Sequence, residues 1–335
     1  MNDINFDTKR MNLKQMLKER GDRIIVAIGV SNGMEAKQLY SSVCTLHQRN
    51  KIPSYIGGFI TFVSGYLAAA SYGLPDLGYI LREEIVRLTM TAEQATWMSA
   101  LKGPLPAFPI GVDIDTGYGS EPFSIALTCR QVARAGGQYV QLEDQYSINK
   151  SCGHMAGGSG TGKELASMKD MINLRLRPAV GVANSFEDMT VMARTDAIAV
   201  EGFDRAIKRM HAYEEAGAEI LFVEAPDGEE QLAKIPREFA GSDSVVLANM
   251  IERSPHTPYK SPKELQEMGF GIGLYCIGSI MAGRTSQMKY YETLASGNNV
   301  LESLGGSDDN WFAGFGDMIG RGQCEDINMH FHGLE

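Results

Sequence analysis

Asp113 and Asp115 stand one residue apart and follow an apolar run, Phe108-Pro109-Ile110-Gly111-Val112. If that run is a buried strand, side chains alternate between its faces, and both carboxylates project the same way from its C-terminal end. Two carboxylates held that close repel unless a positive charge lies between them. A hard divalent cation with oxygen ligands answers this, and Mg²⁺ suits a site with few carboxylates and several waters. Gly117 and Gly119 come next and let the backbone turn tightly beside a ligand. A strand that ends in a polar turn with solvated aspartates accounts for the same residues equally well, since Asp and Gly are common in turns. The rest of the chain has to decide between the two.

The elements that would position such a site recur regularly. Short apolar runs that read as buried strands occupy residues 24–28, 59–63, 108–113, 139–143, 189–194, 220–224, 245–249 and 272–277. Most gaps carry a helical pattern. In 201–216, Phe203, Ile207 and Met210 share a face, and Gly217 stands where a C-cap belongs. Ser120-Glu121-Pro122 opens another helix, which closes at Gly136-Gly137. Leu13, Met16 and Leu17 mark residues 1–20 as an amphipathic lead-in helix, and about 280–335 read as a C-terminal helical extension. Eight strands alternating with helices predict an α/β chain folded as one parallel (β/α)₈ TIM barrel spanning 1–335, with a doubly wound open sheet as the alternative.

Strand ends then speak for the metal. Ser64 follows the second run, and Asp113 and Asp115 end the third. Glu143 and Asp144 end the fourth, Arg194 to Asp196 the fifth, Glu224 the sixth and Asn249 the seventh. In a barrel all these ends meet at one mouth. Polar loops alone would place such residues at both ends of the strands, whereas the N-terminal ends here are Phe108, Met189, Val245 and Ile272. Converging carboxylates and a cation are the signature of a site.

Beyond the fourth run lies Cys152, between Lys150 and His154, in a loop with four glycines from Gly157 to Gly162. Nearby positive charge lowers a thiol pKa and fits the cysteine for proton transfer near neutrality, and the glycines suit a lid. Residues 157–163 also match a phosphate-binding loop, but Glu164 stands where Ser or Thr should follow, and the strand is distant. His330 and His332 are weaker metal candidates, read as a solvated end.

Composition excludes several partners. Net charge is −10 over 335 residues, which argues against nucleic acid or an anionic membrane surface. Apolar content of 44% and charged content of 21% are those of a globular chain. Five cysteines, an odd number without CxxC, and a polar N-terminus without a signal pattern predict a reducing, cytoplasmic setting. No charge falls between Lys51 and Asp76, but the glycines and prolines there read as a buried strand feeding a helix, not a membrane span.

Residues 113–119, 143–145, 150–154 and 193–197, in that order, resemble the isocitrate lyase / phosphoenolpyruvate mutase superfamily. Residues 191–224 and 73–78 look most like its methylisocitrate lyases, and the likeness spans 60–290. The resemblance implies a barrel that pairs by exchanging its C-terminal helix, in a homotetramer built as a dimer of dimers. It implies Mg²⁺, with Mn²⁺ as an alternative, held near Asp113, Asp115 and Glu143, partly through water, with Asp76 outside the inner ring of ligands. It implies Cys152 as the acid/base of carbon–carbon lyases. Arg194, Glu224, Asn249 and the backbone at Ser64 and Gly65 would hold substrate carboxylates. Gly153 and His154 would contact substrate on loop closure, and Tyr66 and Thr257 complete the pocket. The implied reaction cleaves a small 2-hydroxy di- or tricarboxylate to pyruvate or glyoxylate and a carboxylic acid. An oxaloacetate-type hydrolase, a phosphonate-forming mutase, or a binding protein that kept the barrel are the alternatives.

The chain departs from the family at four places. Tyr66 follows Gly65 where further glycine is usual, and Ser151 replaces a basic residue before Cys152. Residues 40–58 look longer than the usual first connection. Residues 250–258 differ from the methylisocitrate lyase version. These changes bear on the substrate more than on the reaction class.

Overall fold

Every one of the eight apolar runs becomes a strand: β1 Ile24–Val30, β2 Ile56–Val63, β3 Ile110–Asp113, β4 Tyr139–Glu143, β5 Thr190–Thr195, β6 Ile220–Val223, β7 Val245–Asn249 and β8 Ile272–Tyr275. The computed structural model describes residues 6, 9–147, 150, 153, 163–254, 256–301 and 311–332. Each strand pairs in parallel with its chain neighbour, and β8 returns to β1 to close the barrel. The open-sheet alternative is thereby excluded.

The helices are α1 Leu13–Glu19, α2 Gly33–Gln48, α3 Gly65–Ser71, α4 Arg82–Ala100, α5 Pro122–Arg134, α6 Met168–Asp170, α7 Arg177–Ala183, α8 Ile198–Glu201, α9 Phe203–Glu215, α10 Gly228–Glu238, α11 Pro262–Met268, α12 Gly278–Ala295, α13 Trp311–Met318 and α14 Arg321–His332. A π-helical turn, Met171–Leu176, joins α6 to α7. The uncharged stretch 52–75 resolves into β2 and α3, and among the described residues no helix is long and apolar enough to cross a membrane.

Strands buried on both faces read as continuous apolar runs because helices cover one face and the barrel lumen the other. Ile25, Ile60, Phe62, Tyr139, Met192, Phe222 and Leu247 pack inside the lumen. Tyr139 fits only because β3 carries Gly111, where a Cβ would lie 2.0 Å from the tyrosine ring. Leu13, Met16 and Leu17 of α1 join the same cluster and seal the N-terminal end. The sulfur of Met16 would stand 2.4 Å from a Cβ on Gly58.

Some expected boundaries shift, each for a local reason. β3 starts at Ile110, not Phe108, since Pro109 has no N–H for the ladder. β2 runs back to Ile56, where it meets Ile24. The helix expected over 201–216 is divided at Gly202, whose φ of +86° ends α8 and starts α9. Of the lead-in, Leu13–Glu19 is helical, capped by Asn12 accepting from the Gln15 amide at 3.0 Å.

Register then assembles the site. Asp113 pairs with Gln141, Glu143 with Arg194, Arg194 with Phe222, and Asn249 with Leu274. Parallel pairing carries all these strand ends to the same rim. At the far end of the chain α12 leaves the barrel with none of its residues buried. Within one chain, α13 and α14 lie back on α2 and the end of α4. Lys37 Nζ donates to the Ile319 carbonyl at 2.8 Å, and Lys102 pairs with Asp326.

Candidate active site

The β3 end is built from a tight backbone reversal. Asp113 closes the strand, and its Oδ1 accepts from the Asp115 amide at 3.0 Å. Asp115 at φ +49°, Gly117 at +102° and Tyr118 at +57° all lie in the left-handed region. Asp tolerates that region better than most residues, and Gly enters it freely. Asp113 Oδ2 also accepts from the Gly65 amide at 3.3 Å. A Cβ on Gly65 would stand 3.0 Å from Asp113 Oδ2 and 3.2 Å from Asp115 Oδ1. The missing side chain at Gly65 is therefore what leaves room where both carboxylates converge.

Lys150 faces these acids from the loop after β4. Its Nζ lies 2.7 Å from Asp76 Oδ1 and 2.8 Å from Asp115 Oδ1. Asp115 Oδ1 is near enough to be an ion-pair partner but receives no hydrogen bond. Glu143 is buried at the end of β4, and neither of its carboxylate oxygens has a hydrogen-bond partner. Arg194 Nη1 is 3.4 Å from Glu143 Oε2, an ion pair without hydrogen-bond geometry.

On the opposite wall Arg194 forks onto Asp196, with Nε 2.9 Å from Oδ2 and Nη2 3.0 Å from Oδ1. The same guanidinium lies 3.4 Å from Glu224 Oε2 and over the Phe222 ring. Lys163 bridges Asp196 Oδ1 at 3.1 Å and the Gly153 carbonyl at 2.6 Å. Gly153 packs its backbone on this pair, since a Cβ there would come within 2.5 Å of Glu224 Cγ. Beneath the rim, Asp144 accepts from Thr195 Oγ1 at 2.7 Å, the Asp196 amide at 3.0 Å and Tyr213 OH at 2.9 Å. Arg175 Nη1 donates to the carbonyls of Glu143 and Gln145, each at 2.7 Å.

Burial governs the titration of this cluster. Desolvation first, then the Asp115 charge, pushes Asp113 up to about 7, against the pull of Lys150 and Arg194. Desolvation likewise holds Glu143 well above the usual carboxylate range. Burial works to lower the Lys150 ammonium, but Asp115, Glu143, Asp76 and Asp113 outweigh it and hold it firmly charged. The same balance keeps Arg194 charged, through Asp196, Glu224 and Glu143.

Between the two walls opens a cavity of about 260 Å³ at the C-terminal mouth of the barrel. Ser64, Tyr66, Asp76, Asp113, Gly153, Arg194, Glu224 and Asn249 line it. Gly65, Asp115 and Glu143 stand just behind. Thr257, expected on the substrate, is instead buried in a separate small cleft with Asn249, Pro226 and Phe270. Cys152 and His154 lie outside the described residues, as does all of 157–163 except Lys163. That lysine binds Asp196 and the Gly153 carbonyl. His330 and His332 sit on the far helix α14.

Lys163 and Gln141 escaped the sequence reading as participants, while Asp196 was read only as a strand end and Ile251–Ser254 only as part of a departure from the family. Asp196 stands one residue past β5, and its carboxylate turns back onto Arg194. Nothing local marks Lys163, which reaches the site only through the fold.

Among the described residues no three His, Cys, Asp or Glu side chains are grouped to hold an ion directly. The charge balance nevertheless favours one. Among the described residues, Asp76, Asp115, Glu143, Asp196 and Glu224 share three cations as ion-pair partners, Lys150, Lys163 and Arg194, and Asp113 stands beside them. Both Glu143 oxygens and Asp115 Oδ1 are buried without a hydrogen bond, a costly state for a carboxylate. All-oxygen donors with few direct ligands suit Mg²⁺, which keeps several of its waters.

Comparison with known proteins gives the following. Residues 57–285 match the family described as phosphoenolpyruvate phosphomutase. The 2,3-dimethylmalate lyase of Eubacterium barkeri is 29% identical over 92% of this chain and 94% of its own length. The 2-methylisocitrate lyase of Bacillus subtilis is 37% identical over 72% of each. Among solved structures, 2,3-dimethylmalate lyase in its trigonal crystal form superposes with a TM-score of 0.78 at 25% identity, covering 96% of both chains. Oxaloacetate acetylhydrolase with bound 3,3-difluorooxalacetate shares the fold, with a TM-score of 0.79 at 24% identity over 98% of this chain and 99% of that one.

Proposed function

Taking as premise that this chain belongs to the phosphoenolpyruvate phosphomutase family, within the isocitrate lyase / phosphoenolpyruvate mutase superfamily, we propose that it is a carbon–carbon lyase. Its substrate is a small 2-hydroxy di- or tricarboxylate, and its products are a 2-oxo acid, pyruvate or glyoxylate, and a carboxylic acid. The observation that carries the reading is the cavity itself. One wall is Asp113 with Asp76, the other is Arg194 with Glu224, and the Gly153 backbone lies on the second wall. The named lyases among the relatives support the same class.

In this reading Asp113, Asp115 and Glu143 would hold Mg²⁺, or Mn²⁺ in its place, with Asp76 behind them. When bound, it would supply positive charge for the oxygens of the 2-oxo acid. The protein does the rest. The substrate hydroxyl gives its proton to a rim carboxylate, Glu224 in this assignment, while the C–O bond becomes C=O. The adjacent C–C bond breaks, and its electron pair moves to the carbon beside the second carboxylate. Cys152 gives that carbon a proton. Arg194, held charged by three acids, offsets the negative charge in a site shielded from water. Asn249 and the backbone at Ser64 and Gly65 orient the carboxylates, with Tyr66, Gly153 and His154 closing around them.

We extend the proposal to a homotetramer in a reducing, cytoplasmic compartment. Support comes from α12, which exposes Met281, Met288, Tyr291 and Leu294 along an unburied helix. Cys44, Cys129, Cys276 and Cys324 form no disulfide, in keeping with a reducing setting.

The test is Cys152→Ser. With Mg²⁺ and 2-methylisocitrate or 2,3-dimethylmalate, the substitution should lower turnover by about 10²–10⁴-fold, with substrate binding by calorimetry retained. Full turnover by the variant would remove Cys152 from the mechanism.

A further inference from the structure

We propose that Arg253 is a specificity-determining residue, binding an anionic group at the end of the substrate remote from the Asp113 and Arg194 walls. The inference rests on the lyase reading above and names the substrate class within it: a 2-hydroxy acid that carries a third, distal carboxylate.

Charge is the first ground. The inner cavity is rich in acids, and its guanidinium, Arg194, already serves Asp196, Glu224 and Glu143. It has little capacity left for another anion. A substrate with a carboxylate at its far end needs a second cation there, or that carboxylate is desolvated unpaired. Arg253 lines the same cavity, in the loop after β7, and is exposed. Among the described residues it makes no hydrogen bond or ion pair. A planar guanidinium with its donors unengaged suits bidentate capture of a carboxylate.

The backbone is the second ground. Arg253 has a φ of +63°, a region that non-glycine residues rarely occupy. Of the four other described non-glycine residues in that region, Asp115 and Tyr118 belong to the acidic rim and Ala225 follows Glu224, while Asn50 follows α2 away from the site. Strain held at a site points to function.

The neighbouring Glu252 packs on the next helix. Its carboxylate presses on Gly278, the first residue of α12, where a Cβ would lie 2.3 Å from Oε1. A carboxylate at the N-terminus of an 18-residue helix is favourably placed in the helix field. Glu252 Oε1 thus packs against the start of α12, one residue before the positive φ of Arg253. Glu252 also lines the cavity but makes no ion pair with Arg253, so the guanidinium stays open to a ligand.

Test the holoenzyme with Mg²⁺, comparing 2-methylisocitrate, a tricarboxylate, with 2,3-dimethylmalate, a dicarboxylate. Arg253→Gln should raise KM for the tricarboxylate by about ten- to a hundredfold, the size of a lost charge-assisted hydrogen bond, with kcat little changed, the pattern of lost uniform binding. KM for the dicarboxylate should not move, and Arg253→Lys should restore part of the loss. Calorimetry with propane-1,2,3-tricarboxylate and succinate runs in parallel. Wild type should bind the tricarboxylate more tightly, and Arg253→Gln should erase the difference. If neither hydroxy acid is cleaved but the calorimetric difference depends on Arg253, the lyase reading falls and the inference stands. Equal effects of the substitution on both acids, or none on either, would overturn it.

Discussion

The backbone of Gly153 rests on the guanidinium of Arg194, so closely that a Cβ on the glycine would stand 2.4 Å from Nη2. Arg194 cannot give way, because Asp196 grips it with two hydrogen bonds. Gly153→Ala must therefore displace the loop. A shift of about 1 Å at a reacting centre can lower rates about 10²-fold. We expect kcat/KM to fall by about that factor with the melting temperature unchanged. An unaffected rate would show that the contact is not kept in the working enzyme.

Asp144 is predicted to be structural, not catalytic. It collects hydrogen bonds from Thr195, the Asp196 amide and Tyr213 in a fully buried position, with Arg209 Nη1 3.4 Å away. Asp144→Ala leaves those donors and a cation without their partner. The expected loss is about 3–5 kcal/mol in urea unfolding, the range for a broken buried pair. Tyr213→Phe removes a single bond and should lose about 1 kcal/mol. A smaller loss for Asp144→Ala than for Tyr213→Phe would show that the network does not support the rim.

Metal binding should release protons below neutrality. Asp113 sits at about 7 in the folded chain, against an ordinary 3.8. The folded state holds the proton more tightly than the unfolded state. The stability this gives the metal-free chain is therefore complete below about 3.8 and lost as pH rises through about 7. Glu143, also raised by burial, acts in the same direction. A cation needs the carboxylate form, so Mg²⁺ affinity should climb with pH and level off above about 7. Calorimetry in buffers of differing ionisation enthalpy reads the released proton directly, and Asp113→Asn should flatten the profile. A flat profile in wild type would contradict the placement of the ion at Asp113.

The exposed face of α12 should be covered in solution. Light scattering should give about four times the chain mass of 36.6 kDa. Replacing Met288 and Leu294 with Lys should lower that mass, because both lie exposed on α12. A monomer mass for wild type would rule the assembly out.

Much of the barrel was legible because both signals it depends on are local. Apolar runs mark strands, and polar residues at their C-terminal ends mark the rim, so Asp113, Glu143, Arg194, Glu224 and Asn249 could be named in advance. Residues whose role depends on a distant partner were not legible. Lys163 appeared only as part of a false phosphate-binding motif, yet it bridges Asp196 and Gly153. Thr257 lies near Asn249 in sequence, but the loop turns at Arg253 and buries it in another cleft. Gly202 broke a helix that the apolar periodicity alone carried through, because periodicity does not register a single positive φ.

The most direct measurement is the identity of the products. The purified protein is incubated with Mg²⁺ and each 2-hydroxy acid, and both fragments are quantified by mass spectrometry and a 2-oxo acid assay. One 2-oxo acid, pyruvate or glyoxylate, should appear for every substrate molecule cleaved, together with one equivalent of a carboxylic acid protonated where the bond broke. Oxalate with acetate from oxaloacetate, an isomerised phosphonate, or metal-dependent binding of every acid without cleavage would contradict the account.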